Sequence, residues 1–246
     1  MPEGYNAIMN SVTAESLLAI NREFYNNFGG QFSATRRRVQ PGVKKIIDSI
    51  PEDASVLDLG CGNGHFLCEL GRRGHKQPLL GLDFSLPLLR TAESIPGVEF
   101  REVDLTKLSA FNDQLSTADH WSLITAFAVL HHIPSTEMRL DILKTVRKLL
   151  KPDGKIILSN WQFLNSKKLK SRIQAWGKVG INEGDLDEGD YLLDWRSGGE
   201  GLRYVHHFTA EELLGLAGQV AMRVIDSFPS DGDGGNLSLY QVWSCT

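Results

Sequence analysis

The sequence predicts an α/β fold built on a seven-stranded, mostly parallel sheet. Short apolar runs at residues 56–59, 79–82, 98–103, 122–129 and 155–159 alternate with segments of helical periodicity. The run at 122–129 is apolar almost throughout, as expected for a strand covered on both faces. Two further strands, at 222–228 and 237–243, would close the sheet with the last one antiparallel. A chain of 246 residues is long enough to bury a full core in one α/β domain.

Helical patterns connect and flank these strands. The apolar spacing predicts helices at 12–28, ended by Gly29 and Gly30, and at 42–50, 63–73 and 85–94. A buried stripe from Met138 to Leu150 indicates a helix before the fifth strand, and Lys151-Pro152-Asp153-Gly154 predicts a β-turn between them. Thr209 and Glu212 form a capping-box pattern that opens the last helix.

The first strand runs into a glycine-rich turn, Asp58 to Gly64 (DLGCGNG), which indicates a ligand site. Glycines at alternate positions allow a sharp turn and leave room for a ligand against the backbone. The spacing differs from the dinucleotide pattern G-x-G-x-x-G, and Asp58 would repel a pyrophosphate. A carboxylate there suits a cationic ligand. S-adenosylmethionine, which carries an ammonium and a sulfonium but no phosphate, fits both features.

Acidic residues follow the second and third strands. Asp83 comes about 20 residues after the glycine turn, where a carboxylate that binds ribose hydroxyls is expected. Asp83 would also serve as a helix N-cap, a role that Ser85 could take instead. Asp104 follows the third strand.

A histidine pair, His131 and His132, follows the fourth strand. In open α/β sheets, ligands bind at the carboxyl ends of the strands, so at least one of the two is expected to face the reacting groups.

The glycine turn resembles motif I of the class I S-adenosylmethionine-dependent methyltransferases. That family has a Rossmann-like sheet, and the five parallel strands match it in order. The resemblance implies S-adenosylmethionine as cofactor. The cofactor contacts expected from the residues and the resemblance together are Asp58, Gly60, Cys61, Gly62, Asn63, Gly64, Asp83, Phe84, Ser85, Asp104, Leu105, Ala126 and His131.

The flanking segments resemble one branch of this superfamily, the tRNA wobble-uridine methyltransferases that esterify 5-carboxymethyluridine. The matching stretches are Tyr25 with FSATR at 32–36, AVLHH at 128–132, RYVHHF at 203–208, and Gly235-Asn236. The resemblance implies tRNA as a partner. Eukaryotic members also work with a small zinc-binding activator subunit, so such a subunit is a candidate partner.

The domain organisation then follows as one methyltransferase domain over residues 1–246. Residues 1–50 form an N-terminal helical cover, 51–160 the cofactor-binding half, 161–205 a substrate-side insert, and 206–246 the last helix and closing strands.

The acceptor group decides which residues are needed for catalysis. A carboxylate acceptor has a reference pKa of about 4 and is already ionised at neutral pH, so it needs an orienting clamp rather than a base. We expect His131 and Arg36 to act in catalysis. The expected substrate contacts, including aromatic rings that would stack on a base, are Arg36, His132, Trp161, Trp195, Arg196, Arg203, Tyr204 and His206. If the acceptor were a hydroxyl or an amine, His131 or His132 would be the base.

Composition limits the partners and the compartment. A formal net charge of −4 gives no global attraction to nucleic acid, so RNA binding would need a local basic patch, such as the basic segment at 167–172. The three cysteines form neither a paired framework nor a zinc spacing. With no signal sequence and no apolar run of membrane length, we expect a cytoplasmic protein without metal or membrane contact.

Alternatives remain at this point. A small-molecule O- or N-methyltransferase would have a pocket closed by the insert and no basic rim. A catalytically silent fold that only binds a partner is disfavoured by the intact Asp58, Asp83 and glycine turn, and an NAD-dependent oxidoreductase by the glycine spacing.

Overall fold

A computed structural model describes residues 9–34, 38–115, 120–197 and 199–246, except the side chain of Phe32. Seven strands form one sheet, in the order β3-β2-β1-β4-β5-β10-β9. Their bounds are β1 Val56–Leu59, β2 Leu79–Asp83, β3 Val98–Glu102, β4 Trp121–Phe127, β5 Leu150–Trp161, β9 Met222–Ser230 and β10 Ser238–Cys245. Strand β10 is antiparallel to both of its neighbours, while the other pairings are parallel. The predicted fold class is confirmed.

Helices cover both faces of this sheet. Their bounds are α1 Ser11–Ala34, α2 Pro41–Ile47, α3 His65–Arg72, α4 Leu86–Leu89, α5 Asn112–Leu115, α6 Thr136–Leu149, α7 Lys167–Lys170 and α8 Ala210–Gln219. The larger apolar cluster lies between the sheet and α6 with α8, and a second lies between the sheet and α2 with α3. None of the helices in the described ranges is long and apolar enough to cross a membrane.

The segment after β5 contains a second, three-stranded antiparallel sheet. Its strands are β6 Ile173–Gln174, β7 Asp190–Trp195 and β8 Gly201–His206, in that order. Helix α1 packs against β8. This small sheet therefore brings β8 and α1 to the carboxyl end of the main sheet, where functional side chains collect.

The structure corrects three sequence predictions about elements. Helix α1 continues through Gly29 and Gly30 to Ala34. A Cβ on Gly29 would lie only 3.3 Å from Leu88 Cγ, so this glycine allows close packing of α1 on α4. Helix α4 is much shorter than the predicted 85–94. The predicted β-turn at 151–154 lies inside β5 as an irregularity in the pairing with β4. Trp121 pairs with Leu150, and Leu123, two residues later, pairs with Lys155, five residues after Leu150.

Candidate active site

A cavity of about 470 Å³ opens at the carboxyl ends of the parallel strands. Its walls come from the turn after β1, the ends of β2, β4 and β5, one face of α1, strand β8 and the β9–β10 hairpin. This volume lies within the range of about 300–1,000 Å³ that small ligands occupy. The position is the one expected for ligand binding in an open α/β sheet.

The glycine turn forms the floor of the cavity at one end. The backbone at Gly60, Gly62 and Gly64 is left-handed, with φ of 63°, 56° and 72°. A Cβ at Gly60 would lie 2.5 Å from Val129, and one at Gly64 would lie 2.3 Å from Phe100, so these two glycines are required by packing. A Cβ at Gly62 would meet nothing within 4 Å. Gly62 lines the cavity and is therefore the position where a ligand can approach the backbone.

Asp83 closes the next side of the cavity. Its Oδ2 accepts a hydrogen bond from the Gly62 N–H at 2.8 Å, and its Oδ1 accepts one from the Ser85 N–H at 2.8 Å. Burial raises the pKa of Asp83, while these backbone amides act in the opposite direction. Each carboxylate oxygen can accept a further hydrogen bond, so Asp83 has the capacity to bind the two hydroxyls of a ribose.

Asp104 lies across the same end of the cavity and is tied to α1. Its Oδ1 accepts hydrogen bonds from the Thr106 N–H and hydroxyl, and its Oδ2 pairs with Arg22 at 2.6 Å. Phe84 and Leu105 add apolar wall between the two acids. Two carboxylates, an open glycine turn and apolar side chains match an adenosine-containing cation, so the residues present fit S-adenosylmethionine.

Asp58 lies beneath the turn rather than in the cavity wall. It is 3% exposed, and the Thr125 hydroxyl donates to its Oδ1 at 2.7 Å. Burial raises the pKa of Asp58 to about 7, and the charge of Asp83 adds to this shift. Cys61 does line the cavity, and burial raises the pKa of its thiol well above the usual value.

The two histidines have different roles because different groups bind them. His132 Nδ1 lies 3.1 Å from the Tyr204 carbonyl, which can only accept, and His132 Nε2 lies 2.9 Å from the Tyr25 hydroxyl. Neutral His132 therefore carries its proton on Nδ1 and accepts from Tyr25. His131 Nδ1 accepts the Trp161 backbone N–H at 3.3 Å, which places the proton of neutral His131 on Nε2. Both histidines line the cavity, and His131 presents the chemistry of a donor, not of a base.

Arg203 supplies a buried positive charge to the cavity wall. It is 5% exposed, and its guanidinium carbon lies 4.8 Å, 5.2 Å and 5.3 Å from the ring centres of Phe24, Trp195 and Trp161. Aromatic faces attract a cation and at the same time exclude water from it. A carboxylate that enters this cavity meets a guanidinium held by rings from three elements, which is a strong and directional arrangement.

Most of the predicted site residues are brought together by the fold. The cavity walls contain Gly60, Cys61, Gly62, Asn63, Asp83, Phe84, Asp104, Leu105, His131, His132, Trp161 and Arg203. Arg36, predicted for catalysis and substrate binding, lies outside the described residues.

Several predicted cofactor contacts lie elsewhere. Ser85 is fully buried near Gly29 of α1, and Ala126 lines a separate small apolar cavity beside α6. Together with Asp58 and Gly64, they stand behind the cavity wall rather than in it. Their contact with the cofactor stays a prediction, and in the structure they support the residues that face the cavity.

Four predicted substrate contacts are also structural. Tyr204 is fully buried and donates to Asp190 Oδ1 at 2.8 Å, and His206 lies between Asp190 at 2.7 Å and Glu212 at 2.9 Å. Trp195 packs beneath the Arg203 guanidinium. Arg196 points to solvent and pairs with Asp194 at 2.6 Å. None of these four is part of the cavity wall that the structure describes.

The predicted site residues include none from α1 or the β9–β10 hairpin, although Tyr25 and Gly235-Asn236 are among the stretches that carry the family resemblance. Asn21, Arg22, Asp231 and Tyr240 all line the cavity. A buried asparagine within the apolar stripe of α1 was the available signal, because buried polar groups need specific partners. Asn21 indeed binds both backbone groups of Tyr204, accepting at 2.9 Å and donating at 3.2 Å.

A family profile described as a methyltransferase domain matches residues 32–224. The chain belongs to this methyltransferase family. S-adenosylmethionine is the cofactor, and the chain is an S-adenosylmethionine-dependent methyltransferase. Within the described parts of the chain, no group of three or more His, Cys, Asp or Glu residues is placed to hold a metal ion.

Relatives of this methyltransferase fall into two groups by coverage. A protein of Encephalitozoon cuniculi, named only as a candidate methyltransferase, is 30% identical over 205 residues, which is 82% of this chain and 87% of that protein. The tRNA (carboxymethyluridine(34)-5-O)-methyltransferase of Mus musculus is 27% identical over 168 residues, or 68% of this chain. The chain spans only 23% of the mouse protein.

Solved structures share the fold. A methyltransferase from Methanosarcina mazei superimposes with a TM-score of 0.60 at 22% identity, covering 84% of this chain and 98% of that one. The structure titled as a DhpI complex with SAM superimposes with a TM-score of 0.66 at 15% identity, covering 93% and 97% of the two chains.

Proposed function

We propose that this methyltransferase esterifies a carboxylate on a modified wobble uridine of tRNA, 5-carboxymethyluridine. The observation that carries the proposal is the buried Arg203 guanidinium in the cavity wall, on the side formed by β5 and β8. The names of the relatives in mouse, Arabidopsis thaliana and yeast, which specify carboxymethyluridine at position 34 of tRNA, agree with a carboxylate acceptor.

The residues present divide the cavity into two halves. The glycine turn with Asp83 and Asp104 would hold the adenosine part of S-adenosylmethionine, and Arg203 with His131 would hold the acceptor. Bound S-adenosylmethionine supplies the methyl group: a carbon–oxygen bond forms to the acceptor as the carbon–sulfur bond breaks, and the electron pair stays on sulfur.

A carboxylate acceptor is compatible with the protonation states of the cavity side chains. The acceptor is ionised at neutral pH, so no proton has to be removed. The hydrogen bond from the Trp161 N–H keeps His131 in the form that donates from Nε2. Arg203 and His131 would therefore orient an anion by donation, and the protein contributes mainly alignment. An acceptor amine or alcohol would instead need a base, which this tautomer of His131 does not provide.

The first experiment measures methyl incorporation from labelled S-adenosylmethionine into total tRNA and, in parallel, into a small-molecule extract. Nucleoside analysis should find the label in a base-labile methyl ester at a wobble uridine. Label confined to the small-molecule fraction would overturn the tRNA substrate and favour a small-molecule O- or N-methyltransferase.

The role of Arg203 has a separate test. Arg203→Met keeps much of the side-chain volume and removes the charge, so kcat/KM for the acceptor should fall by at least about thirtyfold, the lower end for loss of a buried charge partner. Affinity for S-adenosylmethionine should stay within about threefold, because Arg203 is assigned to the acceptor half of the cavity. Arg196→Met is the matched control, since Arg196 is exposed and outside the cavity. Equal losses in the two variants would contradict the clamp.

A further inference from the structure

One segment of this acidic protein is strongly basic. Residues 162–181 contain five Lys or Arg residues and no Asp or Glu, whereas the whole chain has 26 basic and 30 acidic residues. The formal charge of the other 226 residues is therefore −9, that is −4 minus +5. Such segregation creates a local positive potential that the net charge conceals.

Three of these basic residues project from α7 into solvent. Lys167, Lys168 and Lys170, which we call the basic ledge, are all exposed, while Leu169 between them packs on the apolar cluster around Phe163. In the described part of the chain no carboxylate forms an ion pair with any of the three. Leu169 therefore anchors the short helix α7, and no carboxylate of the described residues neutralises the charges of its three lysines.

The basic ledge is fixed directly beside the cavity. Trp161, a cavity residue, packs on the same apolar cluster as Leu169. The Gln162 N–H donates to the carbonyl of Leu237, another cavity residue, at 2.7 Å, and the Asn165 amide donates to the Asn236 carbonyl at 2.8 Å. Lys167 follows Asn165 by two residues, which is at most about 8 Å along the backbone. The ledge therefore borders the rim at which an acceptor would enter.

Two of the five acids in the loop that follows, residues 182–190, make contacts inside the protein rather than with the ledge. Asp190 is buried, bound by Tyr204 and His206, and Asp187 lies 3.9 Å from Arg139, so both face the seam between the small sheet and α6. Burial raises the pKa of Asp187, and the charge of Asp190 adds to this shift. The other three acids of the loop, Glu183, Asp185 and Glu188, are exposed, and in the described part of the chain none of them forms an ion pair with a ledge lysine.

We propose that the basic ledge binds backbone phosphates of the RNA strand next to the acceptor nucleotide. The inference rests on the proposed function and extends it from the acceptor group to the chain that carries it. A nucleotide that enters the cavity leaves its neighbours outside, and their phosphates need cations at the rim. Lysine ammonium groups suit this task because they bind phosphates without reading sequence.

The test measures RNA binding without turnover. Fluorescence anisotropy of a labelled anticodon stem-loop RNA, titrated with the full-length protein over a range of salt concentrations, gives Kd and its salt dependence. Each phosphate contact on a single strand contributes about 0.7 to the slope of log Kd against log salt. Lys167→Ala/Lys168→Ala/Lys170→Ala should therefore lower this slope by about 2 and weaken binding at low salt by at least about tenfold.

A control variant removes the same charge far from the rim. Lys144 and Lys148 lie in the second half of α6, and Lys155 lies in the first half of β5, about 20 Å of strand before Trp161. Lys144→Ala/Lys148→Ala/Lys155→Ala should change Kd by less than about twofold, as expected for screened distant charges. An unchanged slope in the ledge variant, or equal losses in both variants, would overturn the proposal.

The two proposals fail separately. Ledge-dependent RNA binding without methylation of carboxymethyluridine would sink the proposed function and keep the ledge as an RNA surface. Methylation of carboxymethyluridine in tRNA, with an RNA affinity that is the same in the ledge variant and the wild type, would keep the proposed function and overturn the ledge proposal. Loss of binding to anionic lipid vesicles in the ledge variant, with RNA binding unchanged, would assign the ledge to a membrane surface and refute the RNA proposal.

Discussion

Asp58 should make the free protein less stable as pH rises, because its carboxyl is buried without a positive partner in the structure described. Burial raises its pKa from 3.8 to about 7. Between these two values the folded protein keeps a proton that the unfolded chain has lost. The free energy of unfolding therefore falls as pH rises through this window and levels off above the folded pKa.

The magnitude follows from the shift. A change from 3.8 to about 7 is roughly 3 pKa units, and one unit corresponds to about 1.4 kcal/mol. The full contribution is about 4 kcal/mol, of which about 3 kcal/mol develops between about pH 4.5 and about pH 8. Asp58→Asn keeps the shape and can still accept from the Thr125 hydroxyl, but it does not titrate.

The assay is urea unfolding of the ligand-free protein, followed by tryptophan fluorescence at several pH values. The unfolding free energy of Asp58→Asn minus that of the wild type should grow by about 3 kcal/mol over this pH range. Thr125→Val is a second variant: it removes the hydroxyl that favours the ionised form, so the pH window should move upward. Parallel pH profiles for Asp58→Asn and wild type would refute the reasoning.

Two further predictions concern the cavity wall. Asp83→Ala should weaken S-adenosylmethionine binding at least about tenfold in calorimetric titration with an unchanged far-UV spectrum, because it removes charge-assisted acceptors; an unchanged affinity would sink the ribose assignment. Tyr25→Phe keeps the ring but removes the 2.9 Å hydrogen bond to His132 Nε2, so the free energy of unfolding should fall by about 1–3 kcal/mol; a variant as stable as the wild type would contradict a structural role for this hydrogen bond.

The parts of the site that lie at strand ends could be predicted from local sequence. Asp83 and His131 follow apolar runs directly, and a parallel sheet collects the carboxyl ends of its strands at one edge. The small sheet could not be predicted in the same way, since β6 has only two residues and gives no periodic signal.

Side-chain direction explains why Arg203 lies in the described cavity wall and Tyr204 does not. Successive residues of a strand point to opposite faces, so Arg203 and Tyr204 cannot both face the cavity. Arg203 does, and Tyr204 instead reaches Asp190 and Arg139. Choosing between them from the sequence requires knowing which face of β8 meets the main sheet, which depends on contacts with α1 nearly two hundred residues earlier in the chain.

Helix α1 connects the two halves of the site through residues on one face. Arg22 pairs with Asp104 on the cofactor side, and its neighbour Asn21 holds the backbone of Tyr204 on the acceptor side. One turn later, Tyr25 donates to His132. Because a helix moves as a rigid unit, a shift of α1 that breaks the Arg22 ion pair also disturbs the residue next to Arg203. Helix α1 therefore joins the Asp104 carboxylate to the strand that carries the Arg203 guanidinium, and under the proposed function this joins the cofactor end to the acceptor clamp.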